Sequence, residues 1–191
     1  MGGDHAPQAE VEGALLAARE YSVGVLLVGQ QDLLWRHLRR HNTDGLQVEI
    51  VHASQAIAMD ESLSKALRHK RDSSLHVATC QVREAKAQGI VTAGNTGAAM
   101  AIVKMELGTL PGVDRPALAS VFPTKRGTAA VMVDVGANVD CRPRHLHQFA
   151  IMGEVYYRVM FGVLRPRVGL LSIGEEATKG NEVVRETNRR L

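Results

Sequence analysis

The chain has 191 residues, of which 45% are hydrophobic and 23% charged, and its formal net charge is +3. These values are ordinary for a soluble folded domain with a sizeable core. No apolar run approaches the length of a membrane span, and no signal peptide is visible. Two cysteines, Cys80 and Cys141, make no disulfide framework and favour a reducing cytoplasm.

Short β-like runs alternate with longer helical runs along the chain. Such alternation, with few aromatic residues, predicts an α/β protein with a mostly parallel sheet. The run 129–135 has the composition of the most buried strand. In chain order, the apolar spacing predicts helix 7–20, strand 23–28, helix 32–41, strand 46–52, helices 62–70 and 73–88, strand 89–93, helix 96–107, strands 118–122 and 129–135, helix 145–161, strand 167–173 and a helix from 181.

Ligands of parallel α/β sheets bind beyond the carboxyl ends of the strands. Three loops follow predicted strands there, at residues 94–97, 134–140 and 174–180, and all are rich in polar residues and glycine. The sequence therefore predicts that these three loops converge on one ligand.

The turn Gly94-Asn95-Thr96-Gly97 lies between a predicted strand and a predicted helix. Glycine permits positive φ and close approach of the backbone, so such a turn forms a nest of N–H groups that binds phosphate. Thr96 is expected either to cap the helix or to donate to a phosphate oxygen. An ordinary strand-to-helix turn is the alternative.

Further candidates occupy the other polar loops. Asp134 and Asn138 either orient a ligand or hold their own loop through hydrogen bonds. Lys179 presents its ammonium group to phosphate or an oxyanion, or is solvated. Arg115 grips an anion or pairs with Asp114 or a neighbouring subunit.

His5 belongs to the polar segment Gly2–Pro7 ahead of the first helix, where it is either an acid/base group or part of a plain loop. Arg68, Lys70 and Arg71 form a basic cluster that either docks an acidic protein or is a solvated face. Aromatic residues are not interleaved with these charges, which disfavours nucleic-acid binding. No spacing of histidine or cysteine indicates a metal site.

Five segments together resemble the bacterial phosphate acyltransferases, which convert acyl-(acyl carrier protein) to acyl phosphate. They occur in the family's order and with similar spacing over nearly the whole chain. The family continues beyond both ends, with a short strand before Met1, and Ser172 replaces its usual asparagine. The matching segments are Met1–Pro7, Ala93–Ala98, Gly112–Leu118, Asp134–Val139 and Gly169–Glu176 followed by Lys179-Gly180-Asn181.

The resemblance implies a three-layer α/β/α fold with a mostly parallel sheet, like that of isocitrate and isopropylmalate dehydrogenases. Residues 1–191 would form a single domain that lacks the first strand and the C-terminal part. The implied protein is a cytoplasmic, peripherally membrane-associated homodimer without a cofactor. It takes acyl groups from acyl carrier protein and feeds the first acylation of glycerol 3-phosphate, so the membrane acyltransferase of that step is a further expected partner.

In this interpretation Gly94, Asn95, Thr96 and Gly97 bind inorganic phosphate, and Lys179 neutralises charge on the phosphate or oxyanion. His5 and Asn138 orient the reactants, Asp134 and Arg115 contact substrate, and the basic cluster docks the carrier. Three alternatives stay open: a coenzyme A-dependent phosphotransacylase, a nicotinamide-dependent decarboxylating dehydrogenase, and an inactive fragment that only pairs with a full-length subunit.

Overall fold

The computed structural model describes residues 1–174 and 180–191. Helices and strands alternate through most of this part, which confirms the α/β class. None of the described helices combines the length and apolar character needed to cross a bilayer. The elements are α1 (Gln8–Tyr21), β1 (Val25–Gly29), α2 (Gln31–Leu38), β2 (Val48–His52), α3 (Leu63–His69), α4 (Ser74–Arg83), α5 (Thr96–Leu107), β3 (Ala119–Pro123), β4 (Ala129–Val133), α6 (Pro143–Phe161) and α7 (Glu182–Asn188).

The chain divides into two compact units, Met1–Gly108 and Thr109–Leu191, and each has its own two-stranded sheet. The prediction that residues 1–191 form a single domain stays a prediction.

In the first unit, β1 and β2 pair in parallel, with Val25 opposite Val48 and Gly29 opposite His52. The chain crosses from one strand to the other through α2, as a parallel pair requires. Helix α1 places apolar side chains three and four residues apart on one face, so that they pack on the sheet. The resulting core contains Val11, Leu15, Leu27, Leu34 and Leu38.

A second core cluster lies between α3, α4 and α5. Ala98 and Ile102 are four residues apart on α5 and are both fully buried. They pack with Ala66, Leu75 and Ile57. This cluster fixes helix α5, and with it the turn at its N-terminus, within the first unit.

The second unit is built on an antiparallel hairpin of β3 and β4, with Ala119 opposite Val133. Helix α6 packs on β4, and its Phe149 side chain is only 1% exposed. The Tyr157 hydroxyl donates a hydrogen bond of 2.9 Å to the carbonyl oxygen of Ala129. These contacts hold the hairpin against the helix.

Three predictions about strands were wrong. Residues 89–93 and 167–173 form no strand, and β4 is partly exposed along its length instead of being the most buried strand. Of the two strand pairs in the described residues, only β1–β2 is parallel. A strand is stable only when another segment pairs with it, so a local apolar run alone does not decide whether a strand forms. The likeness to the isocitrate dehydrogenase fold stays a prediction.

Candidate functional site

Helix α5 begins at Thr96, as the sequence predicts, but its N-cap is Asn95. The Asn95 side-chain oxygen accepts a hydrogen bond of 2.9 Å from the backbone N–H of Ala98. Asparagine is a preferred N-cap because its short side chain reaches the first turn of the helix. The capping role considered for Thr96 is therefore wrong.

Several donors stay available at this helix end. Within the described residues, the backbone N–H groups of Asn95, Thr96 and Gly97 and the Thr96 hydroxyl have no hydrogen-bond partner. Thr96 and Gly97 are exposed. Unpaired amides at a helix N-terminus, together with the helix dipole, form a favourable environment for an anion. The turn is thus chemically suited to phosphate.

The glycines of this turn do not have the positive φ that the sequence argument expects. Gly94 instead lies against the amino-terminal loop: a Cβ built on it would lie 3.8 Å from the carbonyl carbon of Gly2. A Cβ on Gly3 would lie 3.3 Å from the carbonyl oxygen of Ala93. The first unit therefore brings two of the predicted motifs, residues 2–5 and 94–97, close together, with His5 exposed in the turn before α1.

The Asn95 side chain is also tied to the loop of residues 58–61. Its amide nitrogen lies 3.4 Å from the carbonyl oxygen of Ala58, 3.0 Å from that of Met59 and 3.3 Å from that of Glu61. Both ends of the side chain are therefore used within the protein. Asn95 can offer a ligand its backbone N–H, while its side chain holds the turn in place.

Lys70 supports the same loop from the end of α3. Its ammonium nitrogen lies 2.6 Å from the Ala56 carbonyl oxygen and 2.6 Å from Oε2 of Glu61. The hydrogen bond from Lys70 lowers the pKa of the Glu61 carboxyl, whose side chain is 9% exposed. Lys70 therefore has a structural partner, whereas Arg68 and Arg71 are exposed. Sequence reasoning missed Glu61, since nothing in its local pattern marks it.

In the second unit, the Asp134 carboxylate organises its own loop. It accepts hydrogen bonds from the N–H groups of Leu118 at 2.8 Å, Ala137 at 3.1 Å and Asn138 at 2.7 Å. Burial raises the pKa of Asp134, but these bonds, with that from Leu118 first, outweigh burial and hold the pKa below its ordinary value. The loop-holding alternative accounts for every contact of this carboxylate in the described residues.

Asn138 and Arg115 make local contacts as well. The Asn138 side-chain nitrogen lies 3.0 Å from Oδ2 of Asp134 and 3.0 Å from the Pro116 carbonyl oxygen. Arg115 donates from Nη1 to the Asp140 carbonyl oxygen at 2.9 Å. These bonds fasten the segment before β3 to the loop after β4. Asp114 is bonded to Arg144 and Gln148.

The third predicted loop is described only at its ends. Lys179 lies outside the described residues, which include Gly174 and Gly180 but not 175–179. Asn181 follows as the N-cap of α7, where its side chain accepts from the Val184 N–H at 2.9 Å. The turn at 94–97 belongs to the first unit and the loop at 134–140 to the second. Convergence of the three loops stays a prediction.

Fold and turn together define the class: an α/β protein in which amides at a helix N-terminus have no partner among the described residues and suit an anionic ligand. Comparison with known proteins then gives the family. Residues 1–191 match the family described as "Fatty acid synthesis protein", and the chain belongs to it.

Curated relatives carry the name "Phosphate acyltransferase". The protein of Koribacter versatilis is 60% identical over 97% of this chain and 54% of its own length. That of Geobacter sulfurreducens is 54% identical over 98% of this chain and 54% of its own length. That of Acidobacterium capsulatum is 56% identical over 97% of this chain and 55% of its own length. The chain therefore spans about half the length of these relatives.

Proposed function

We propose that this chain carries the phosphate-binding site of an enzyme that transfers a fatty acyl group from acyl-(acyl carrier protein) to inorganic phosphate. The observation that carries the proposal is the N-terminus of α5, where the amides of Asn95, Thr96 and Gly97 and the Thr96 hydroxyl lack partners in the described residues. The family match and the name of the relatives support the same reaction.

The reaction needs no nucleophilic side chain, because phosphate is itself the nucleophile. A phosphate oxygen attacks the thioester carbonyl carbon, and the tetrahedral intermediate expels the thiolate of the carrier to give acyl phosphate. Since a thiol has a pKa of roughly 8.5, the thiolate leaves without a strong general acid. The protein must position phosphate and stabilise the developing oxyanion.

The turn at residues 94–97 serves the positioning step. Its amides and the positive end of the α5 dipole hold phosphate oxygens, while Asn95 keeps the turn fixed through the Ala98 N–H and the loop at 58–61. A donor set held by packing does not have to reorganise when phosphate binds, which favours catalysis. His5, Asn138, Asp134 and Arg115 remain proposed contacts to the reactants.

Lys179 is proposed to neutralise negative charge on the phosphate or the oxyanion. Lys179→Ala should lower turnover by about 10²-fold or more, the scale of losing one electrostatic stabiliser. Steady-state kinetics with acyl-carrier substrate measures this. Unchanged turnover in a folded variant would remove Lys179 from the mechanism.

The test of the function is phosphate-dependent release of free thiol from acyl-(acyl carrier protein), with acyl-coenzyme A in parallel and Thr96→Val as the site variant. Release from the carrier substrate that Thr96→Val weakens supports the proposal. Release from acyl-coenzyme A alone would favour the phosphotransacylase alternative. No release from a folded sample would favour the alternative of an inactive fragment that only pairs with a full-length subunit.

The same proposal includes a homodimer, a cytoplasmic and peripherally membrane-associated location, and two protein partners. Acyl carrier protein docks through Arg68 and Arg71, and a membrane glycerol-3-phosphate acyltransferase receives the acyl phosphate. They follow from the resemblance and from the exposed basic side chains of the α3 end.

A further inference from the structure

A carboxylate residue lies beside the proposed phosphate-binding turn. The backbone carbonyl oxygen of Glu61 is 3.3 Å from the side-chain nitrogen of Asn95, whose own backbone N–H has no partner in the described residues. Glu61 therefore brings a negative charge to the loop that contacts the anion site. Without compensation this charge would repel phosphate, because like charges interact strongly where water is excluded.

The loop at 58–61 nevertheless uses the Glu61 side chain to keep its shape. Oε2 of Glu61 accepts a hydrogen bond of 3.2 Å from the Ala58 N–H, and the Glu61 N–H donates to the Ala58 carbonyl oxygen at 3.2 Å. This turn directs the carbonyl oxygens of Ala58 and Met59 at the Asn95 side chain, at 3.4 Å and 3.0 Å. The carboxylate is thus useful to the loop and unfavourable for the anion.

The Glu61 carboxylate is nearly buried and is ionised. The hydrogen bond from Lys70 lowers the pKa of the carboxyl, burial acts against it, and the Ala58 N–H adds to the lowering. Both donors contact Oε2, whereas Oε1 is buried without a hydrogen-bond partner in the described residues. Within this part of the chain, Lys70 is the one cation hydrogen-bonded to the carboxylate.

Lys70 is held in place by contacts that do not involve Glu61. Its ammonium nitrogen is 2.6 Å from the Ala56 carbonyl oxygen, and its backbone N–H donates to the Ala66 carbonyl oxygen at 3.1 Å. Ala66 is fully buried in the core cluster that contains Ala98 of α5. The ammonium group is therefore anchored to the helix whose N-terminus is the anion site, unlike the mobile lysines of most surface ion pairs.

We propose that Lys70 is a charge-compensating and positioning residue of the phosphate site. It neutralises Glu61, so that the loop at 58–61 holds Asn95 without repelling an anion bound at the turn. This role rests on the proposed function of the turn and differs from that of Arg68 and Arg71, the exposed side chains proposed to dock the carrier. Lys70 acts through Glu61 and not by contact with substrate.

Substitutions of the pair should change phosphate binding with different signs. Lys70→Met keeps the carboxylate without its cation and should weaken phosphate binding about fivefold or more. Glu61→Gln keeps the ammonium group alone and should bind phosphate at least as tightly as wild type. Glu61→Gln/Lys70→Met carries neither charge and should return the Kd for phosphate to within about twofold of the wild-type value.

Stability should follow a different order. All three variants should unfold at a lower temperature than wild type, because each removes the ion pair that ties α3 to the loop at 58–61. A purely structural role would instead make phosphate binding fall together with stability, and the double variant would then bind no better than Lys70→Met.

The experiment is phosphate titration calorimetry of the 191-residue chain and its variants at low ionic strength, at a temperature where circular dichroism shows each to be folded. The control is Lys65→Met, which removes the same charge from an exposed position on α3 and should change Kd by less than about twofold. Hydrogen exchange of the Ala98 amide, which is bonded to Asn95, checks that the turn stays formed. Lys70→Gln, which can still donate to Ala56, provides the same comparison if Lys70→Met does not fold.

Weaker binding by Lys70→Met that the double variant recovers would support the proposal. Equal Kd values for wild type and Lys70→Met, or a double variant that binds no better than Lys70→Met, would overturn it and leave the proposed function intact. Absence of phosphate binding in the wild-type chain would overturn the proposed function, and the role of Lys70 with it.

Discussion

Asn95 and Thr96 are adjacent, yet their side chains have different roles. The Asn95 side chain is bonded at both ends inside the protein, and the Thr96 side chain is exposed and unpaired in the described residues. A substitution of Asn95 should therefore mainly change stability, and a substitution of Thr96 should mainly change phosphate binding.

Asn95→Ala should lower the free energy of unfolding by about 1–2 kcal/mol, because it removes the N-cap of α5 and the bonds to the loop at 58–61. Thr96→Val is the matched variant: it should change stability by less than about 0.5 kcal/mol. It should weaken phosphate binding roughly tenfold through loss of one hydrogen bond to a charged ligand. Urea unfolding and phosphate titration calorimetry measure the two effects, and equal effects of both variants would contradict this division.

Asp134 makes the stability of its loop dependent on pH. Its folded-state pKa is below the ordinary value, so its contribution is present above pH 4 and is lost as the pH falls through the folded pKa. The wild-type protein should have a higher urea midpoint than Asp134→Asn at pH 5. This difference should become smaller as the pH is lowered to 2.5. Asp140→Asn, at an exposed position in the same loop, is the control and should behave like wild type. A constant advantage across this range would contradict the assignment.

At the scale of elements, the start of α6 depends on a neutral histidine. Pro143 occupies the first turn, and Nδ1 of His145 accepts a hydrogen bond of 3.1 Å from the N–H of Arg142. A protonated imidazole cannot accept this bond. Burial, followed by the charge of Arg115, lowers the pKa of His145, whose residue is 5% exposed.

A histidine whose pKa is lowered by folding contributes to stability at pH values above its unfolded pKa of roughly 6.5. The folded state loses this contribution as the pH falls below that value. The second unit should therefore unfold at a lower temperature at pH 5 than at pH 8. His145→Gln should remove most of the difference, whereas His147→Gln, two residues further on the same helix, should retain it. Calorimetric scans at the two pH values measure this, and the same pH dependence in both variants would count against the helix-start role.

Elements also show where sequence patterns succeed and fail. Helix α5 has the predicted bounds because the apolar spacing and the polar turn before it are local signals. The runs at 89–93 and 167–173 have strand composition but no partner in the described residues. The hairpin β3–β4 is antiparallel although the alternation of elements predicts parallel pairing. Whether a run pairs, and in which direction, depends on its contacts with other segments, which its own residue pattern does not contain.

At the scale of the whole molecule, charge governs the encounter with an acidic carrier. The net charge is +3, and the end of α3 carries the exposed Arg68 and Arg71, while Lys70 is bonded to Glu61. Long-range attraction of this kind raises association rates and is screened by salt.

The KM for acyl-carrier substrate should therefore rise with ionic strength, and the double variant Arg68→Glu/Arg71→Glu should raise it about tenfold at low salt. The control is Arg36→Glu/Arg40→Glu, which makes the same change in net charge at α2 and just after its end. This control should raise KM less. Salt-independent kinetics, or equal effects of the two double variants on KM, would exclude docking at α3.

Lys70→Ala should lower Tm more than Arg68→Ala does, because it removes the hydrogen bonds from Lys70 to Ala56 and Glu61 that hold the loop at 58–61.

The sequence by itself determined the α/β class, most helices and the polar turn at residues 94–97, because periodicity, capping residues and composition act over a few neighbours. It also raised the loop-holding alternative for Asp134 and Asn138 that their contacts support. Only the tertiary structure decided that Lys70 and Glu61 fasten the loop behind Asn95 and that Gly2 lies against Gly94. These contacts join residues that are far apart in the chain, and packing of the folded unit, rather than any local preference, brings them together.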